Sequence, residues 1–181
     1  MRCRNVAALI WIMVLAFTLR AFGAAVSLEH PIKATFVYKF APFVEWPQNA
    51  FASPTSPISI CALGEDAVTA LLDQAVAGQT AGARRFEVRH LDRVARNSGC
   101  HILYIAGSSA QSPSDALNAV QGSPVLTVTD AARTPQAAGA ISFFVQDSRV
   151  RFDIDQAAAA ENGLSISSRL LSLARRVRVR P

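Results

Sequence analysis

From Gly139 to Val177 the chain reads GAISFFVQDSRVRFDIDQAAAAENGLSISSRLLSLARRV, and its apolar positions change period once. Ile141, Phe143 and Val145 alternate with more polar neighbours, and Val150, Phe152 and Ile154 resume the alternation after Gln146-Asp147-Ser148-Arg149. Two period-two runs around a short polar turn predict a β-hairpin with one buried face. Ile166, Leu170, Leu173, Ala174 and Val177 then fall on one face of a helical wheel, which predicts a C-terminal amphipathic helix. Asn162-Gly163 breaks the Ala-rich run before it, and Ser165, Ser167 and Ser168 are the candidate caps.

Upstream, Pro31 suits a first helical position, and Ile32, Phe36, Phe40 and Phe43 or Val44 recur at helical spacing. Trp46-Pro47 ends that run, and Pro42 kinks the helix or stops it early. A Pro/Ser linker at 53–57 leads to a strand at 58–63 that ends at Gly64. A helix through Leu71, Leu72 and Val76 follows, then an alternating strand at 84–89 and a short helical turn at 91–96. The nearly continuous apolar run 100–106 (CHILYIA) has the pattern of a central strand covered on both faces. A helix from Ser112 to Gly122 and a strand at 125–129 complete the series before the hairpin. Strands joined by helical crossovers predict an α/β fold: a mixed, mostly parallel sheet with flanking helices, closed by the antiparallel hairpin and the C-terminal amphipathic helix.

The N-terminus changes the charge and compartment arguments. Arg2 and Arg4 precede an apolar run from Val6 to Leu19, and Gly23 and Ala25 fit the small-residue rule for a cut after Ala25. Residues 1–25 are therefore expected to be a cleaved secretory signal, with one domain over 26–181, and the run is short for a membrane span. Removal of the signal leaves 15 basic and 13 acidic residues, a net charge of +2 instead of +5. The basic residues Arg175, Arg176, Arg178 and Arg180 crowd the C-terminus, where cations suit a helix end, so no nucleic-acid partner is expected. Export also leaves Cys61 and Cys100, an even count that argues for a disulfide in an oxidising compartment. Cys61 sits late in its strand and Cys100 at the start of its own. Parallel strands would then separate the two residues, so either Cys100 belongs to the entering loop or the strands run antiparallel.

Six segments together resemble the YfiR family of periplasmic proteins: IKATFVYKFAPFVEWP (32–47), ISICALG (58–64), CHILYI (100–105), LTVTD (126–130), GAISFFVQDSRVRFDID (139–155) and GLSISSRLLSLARRV (163–177). They span nearly all of the expected mature chain, in the family's order. The resemblance implies a periplasmic α/β domain that dimerises and works by binding. Its best-known member restrains a membrane diguanylate cyclase through that enzyme's periplasmic sensor region and keeps cyclic-di-GMP low. The resemblance supports the Cys61–Cys100 disulfide. The chain lacks the second cysteine pair that some relatives carry near the hairpin. Pro42 replaces a helix-compatible residue, and Asp155 stands where Asn is usual.

The chain carries no GxSxG elbow, phosphate-cradling glycine loop or HExxH pair. No enzyme activity, cofactor or metal is expected. His30, His90 and His101 are scattered, and His101 reads as structural because its strand neighbour Cys100 faces the other side. Asp153 and Asp155 share a face on which Arg149 and Arg151 are the expected ion-pair partners. The aromatic segment and the hairpin are the candidate partner-binding surfaces, with Phe36, Phe40, Phe43, Trp46, Arg149 and Arg151 as the residues to test. Ser167, Ser168 and Arg169 are a candidate anion site at a helix start. A small-molecule sensor using the crevice at the carboxyl ends of the parallel strands is the alternative function.

Overall fold

The computed structural model describes residues 28–179; the expected signal at 1–25 lies outside the described residues. In chain order the elements are α1 (Glu29–Lys39), β1 (Val44–Glu45), β2 (Ile58–Gly64), α2 (Thr69–Val76), β3 (Thr80–Ala81), β4 (Arg84–Leu91), β5 (Ile102–Gly107), α3 (Pro113–Val120), β6 (Leu126–Asp130), β7 (Ile141–Gln146), β8 (Arg149–Asp155), α4 (Gln156–Glu161), β9 (Ser165–Ile166), α5 (Ser168–Leu171) and β10 (Arg176–Arg178).

Eight strands form one sheet in the order β10-β8-β7-β6-β5-β2-β4-β3, and β1 and β9 make a separate antiparallel pair. The pairs β10–β8, β7–β6, β6–β5, β5–β2 and β2–β4 are parallel, while β7–β8 and β3–β4 are antiparallel. The sheet is thus mixed and mostly parallel, with flanking helices and an antiparallel hairpin. Alternate residues of the central strands feed two cores. On one face Ile60, Tyr104, Val128, Phe143 and Phe152 pack with α1 and α2. On the other, Cys61, Leu63, Leu103 and Ile105 pack with Ala116 and Val120 of α3. Burial on both sides explains why β2 and β5 read as nearly continuous apolar runs.

The hairpin forms where its period predicts. Its turn is the two-residue link Asp147-Ser148, both at positive φ (51° and 56°), as the right-handed strand twist requires. α1 ends at Lys39, and Pro42 lies in the 3₁₀ turn Ala41–Phe43 that follows, so this proline stops the helix early.

Three expectations are corrected. The C-terminal amphipathic helix is reduced to the single turn α5, after which the chain becomes strand β10, parallel to β8. Leu173, central to the expected stripe, is 62% exposed. The reason is tertiary. Arg176 to Val179 also alternates Arg with Val, and β8 offers a free edge whose backbone groups this segment satisfies. The short helical turn expected at 91–96 does not form: Leu91 ends β4 and 92–96 is loop, with the backbone of Val94 held by the side-chain amide of Gln111 (2.7 and 3.0 Å). The ion-pair partners of Asp153 and Asp155 are Arg175 and Arg178, not Arg149 and Arg151.

Candidate functional site

The disulfide joins Cys61, inside β2, to Cys100, in the segment entering β5, with Cα atoms 5.6 Å apart. Of the two geometries left open by the sequence, the strands are parallel and Cys100 lies in the loop. The His101 backbone N–H donates to Ser59 O (2.9 Å), folding that loop back over β2. Both sulfurs sit in the α3-side core.

His101 ties the same loop to the aromatic segment. Its Nδ1 accepts from the Ser59 N–H (3.0 Å) and its Nε2 donates to Ala50 O (3.0 Å), which requires a neutral ring. Burial holds its pKa below the ordinary value, and the Arg84 charge adds to this against the opposing pull of the Ala50 carbonyl. The ring stacks on Phe51 (4.2 Å), and the Arg84 guanidinium covers the other face of Phe51 at 3.7 Å. Trp46 meets Phe51 edge-on at 6.0 Å, and its Nε1 is buried without a hydrogen-bond partner among the described residues. Trp46, Phe51 and Arg84 line an open groove of about 730 Å³ at the amino ends of β2 and β4.

The aromatic candidates divide between core and surface. Phe36 and Phe40 stack with each other and meet Phe143 and Phe152 of the hairpin at 5.2–6.2 Å. Phe40 is 1% exposed and contributes to the core. Phe43 and Trp46 are half-buried and flank β1. Because β1 pairs with β9, the aromatic segment and the Ser167–Arg169 segment share one surface. The Ser167 N–H donates to Phe43 O (2.9 Å), Ser167 Oγ caps α5 by accepting from the Leu170 N–H (3.4 Å), and Arg169 lies 5.9 Å over the Phe43 ring. Ser168 is exposed.

Arg149 and Arg151 stand exposed on β8, opposite Gln146 and Phe144. The outer face of the hairpin also carries Arg175, whose guanidinium stacks on Phe144 (3.8 Å) and grips both oxygens of Asp153 (2.9 and 2.5 Å). That hydrogen-bonded carboxylate raises the Arg175 pKa further. This face combines an aromatic ring with the paired Arg175 and the exposed Arg149 and Arg151, the composition of a protein-binding surface.

Sequence reasoning missed a polar cluster at the carboxyl ends of the parallel strands. Lys33 of α1 is fully buried and bonds Asp130 at the end of β6 and Glu29 one helical turn back, each at 2.5 Å. Burial pulls the Lys33 pKa down, but the hydrogen bonds to Asp130 and Glu29 more than offset this and leave it raised. Asp66 caps α2 through the N–H groups of Val68 and Thr69, accepts from the Tyr104 hydroxyl (3.0 Å), and pairs with Arg133 (3.3 Å). Burial and the Asp66 carboxylate push the Tyr104 phenol well up, keeping it a donor. Gly64 and Gly107 close the floor, since a Cβ at Gly64 would meet Gly107 O at 1.8 Å. At the strand ends, where the crevice was expected, these polar groups are thus paired with one another. The one signal in the sequence was a lysine inside the apolar run of α1.

Among the described residues no group of three or more His, Cys, Asp or Glu is placed to hold a metal ion. None of the described helices is long and apolar enough to cross a membrane. Fold and surfaces together define an α/β domain with a paired polar cluster inside and aromatic–cationic patches outside. The YfiR/HmsC-like family matches residues 30–175, and the chain belongs to that family. No curated protein matches the chain.

Proposed function

We propose that this protein is a periplasmic regulatory domain that binds the sensor region of a membrane diguanylate cyclase and holds the enzyme inactive, lowering cyclic-di-GMP. The observation that carries this reading is the family match across residues 30–175. Inhibition follows if the domain binds the inactive sensor more tightly than the active one. Driving such an equilibrium from 1:99 to 99:1 takes about 5.5 kcal/mol of differential affinity, within the reach of a protein interface. Two surfaces are proposed for the contact: the Phe43–Trp46 segment and the outer face of the hairpin with Arg149 and Arg151. Phe36 and Phe40 fix the first of these onto the second from beneath.

The test is complementation. Deleting the gene should raise cyclic-di-GMP, and the wild-type gene should restore it. A variant carrying Arg149→Glu and Arg151→Glu, exposed positions, should melt as wild type yet fail to restore the low level. It should also fail to retain the cyclase from solubilised membranes. A deletion that leaves cyclic-di-GMP unchanged would refute the function. A charge-reversed variant that complements fully would refute the hairpin surface.

A second reading rests on the groove lined by Trp46, Phe51 and Arg84. Its mixture of aromatic rings and a cation suits a small aromatic anion. Thermal-shift screening with aromatic carboxylates should stabilise the wild type and not Trp46→Ala if a ligand enters there.

A further inference from the structure

The apolar rows that build the core do not stop where the core stops. β6 ends at Asp130, opposite Phe143, so residues 144–146 of β7 and 149–151 of β8 have only each other as strand partners. The hairpin thus projects about 10 Å past the end of β6. Along its core-side row Phe143 is fully buried, whereas Val145 is 46% exposed. α1 repeats the pattern. Lys33 reaches Asp130, which places the start of this helix at the same end of the sheet. Phe36 packs on Phe143 and Phe152, and one and two turns earlier on its row Ile32 and Leu28 are exposed. Leu173 joins them. β10 runs parallel to β8 and the Arg175 N–H donates to Phe152 O, which sets the residues before Arg175 toward the hairpin turn.

Four of the five large aliphatic side chains exposed among the described residues therefore lie at one end, and only Val179 lies elsewhere. Arg149 and Arg151 stand exposed on the outer row of the projecting hairpin, so the ribbon presents an aliphatic face and a cationic face together. Arg175 is balanced by Asp153, and the exposed Asp147 in the turn opposes the two free arginines.

We propose that this end of the molecule docks on an anionic phospholipid bilayer. Ile32, Val145 and Leu173 enter the boundary between headgroups and acyl chains, and Arg149 and Arg151 bind lipid phosphates. Shape and charge select this occupant. The aliphatic side chains project from three separate segments, so a protein partner would need a separate pocket for each to reach the packing of an ordinary interface. A fluid interface accepts projecting aliphatic groups without such pockets, and binding grows with the apolar area buried and with attraction to anionic lipid. Phosphates also match the fork of a guanidinium. Arg149 and Arg151 are shared with the regulatory reading, so the test contains no protein partner and its apolar variants leave both arginines in place.

Cosedimentation with vesicles tests the proposal. The wild-type protein should pellet with phosphatidylcholine vesicles that contain phosphatidylglycerol, far less with phosphatidylcholine alone, and less as salt is raised. Val145→Ser with Leu173→Ser should weaken binding about tenfold or more, from the apolar area withdrawn. Arg149→Gln with Arg151→Gln should weaken it by about fivefold for each charge removed, and Asp147→Asn should strengthen it by a similar factor. Val179→Ser, at the far end of β10, should bind as wild type. All these positions are exposed, and melting curves close to that of the wild type show that the fold survives. A wild-type protein that ignores anionic vesicles, or serine variants that bind them unchanged, would overturn the proposal. So would Val179→Ser weakening binding as much as the paired change. Wild-type protein that ignores vesicles while the serine variants lose either self-association or the cyclase of solubilised membranes would give this end to a protein instead.

Discussion

Lys33 of α1 and Asp130 at the end of β6 form an ion pair whose side chains are 0% and 4% exposed, joining residues 97 positions apart. The pair clamps the first helix onto the carboxyl end of the central sheet. A buried pair of this kind costs desolvation to form, yet removing one partner strands the other charge.

Asp130→Ala should therefore cost about 3–5 kcal/mol of stability, since Lys33 keeps only the half-exposed Glu29. Pairing Lys33→Met with Asp130→Asn should recover much of the loss, because Asn retains an acceptor for the Ala132 N–H while no charge remains buried. Urea unfolding of both singles and the double checks this, and additive losses would show the two residues uncoupled. The raised Lys33 pKa sets the sign of the pH effect. Its contribution is complete below 10.5, the ordinary value, and is lost as pH rises through the raised value, so the clamp is constant at neutral pH.

The disulfide closes a loop between residues 39 apart, for which chain entropy gives about 4 kcal/mol. Cys61→Ala with Cys100→Ala should lower the melting temperature by about 10 °C. Because Cys61 is fully buried and Cys100 nearly so, a reductant should reach the bridge only after local opening. Its reduction rate should rise with urea well below the unfolding midpoint, which thiol labelling followed by mass spectrometry would reveal. A rate independent of urea would mean that the bridge is accessible in the native state.

How much of this was legible beforehand depends on how local each signal is. The hairpin was, because alternation and turn chemistry are both contained in 141–154. The central strands were, because burial on two faces leaves CHILYI and ISICAL almost wholly apolar, with His101 and Ser59 confined to their starts. β10 was not. Residues 166–177 fit a helical stripe and residues 175–179 fit a strand, and only the free edge of β8 decides between them. The β1–β9 pair joins two-residue strands across more than a hundred residues and leaves no periodicity to read. The Lys33 cluster was hidden for the same reason, since its meaning lies in Asp130. Cys100 was placed within its strand, and two residues' difference in where β5 starts removed the difficulty over its bridge. The surface residues Arg149 and Arg151 are visible in the sequence, but the cations that engage the adjacent carboxylates come from the C-terminal segment, whose strand only the edge of β8 specifies.

Gly64 illustrates a constraint on β2 that composition conceals. It combines φ of +83° with a backbone so close to Gly107 that an added Cβ would lie 1.8 Å from a carbonyl oxygen. Gly64→Ala should thus separate β2 from β5 at their carboxyl ends and cost more than 4 kcal/mol, among the large values for a point change. Gly78→Ala and Gly163→Ala share the left-handed backbone but meet no neighbour within 4 Å, so each should cost only about 1–2 kcal/mol. Thermal unfolding of the three variants separates steric clash from backbone strain, and similar losses at all three would contradict the close contact.

His101 supplies the pH dependence nearest neutrality. In the fold its Nδ1 must accept the Ser59 N–H, so protonation would set donor against donor beside the disulfide and beneath Phe51. With the folded pKa lowered from 6.5, the unfolded chain binds the proton first as pH falls. The stabilisation is complete above 6.5 and is lost between that value and the lowered folded one. The melting temperature should therefore drop as pH falls from about 7 towards 5, in the range where histidine titrates. His101→Asn should flatten that slope while lowering stability at pH 7, since a shorter amide cannot span Ser59 and Ala50 together. If the variant retains the wild-type slope over this range, the acid sensitivity belongs to another group.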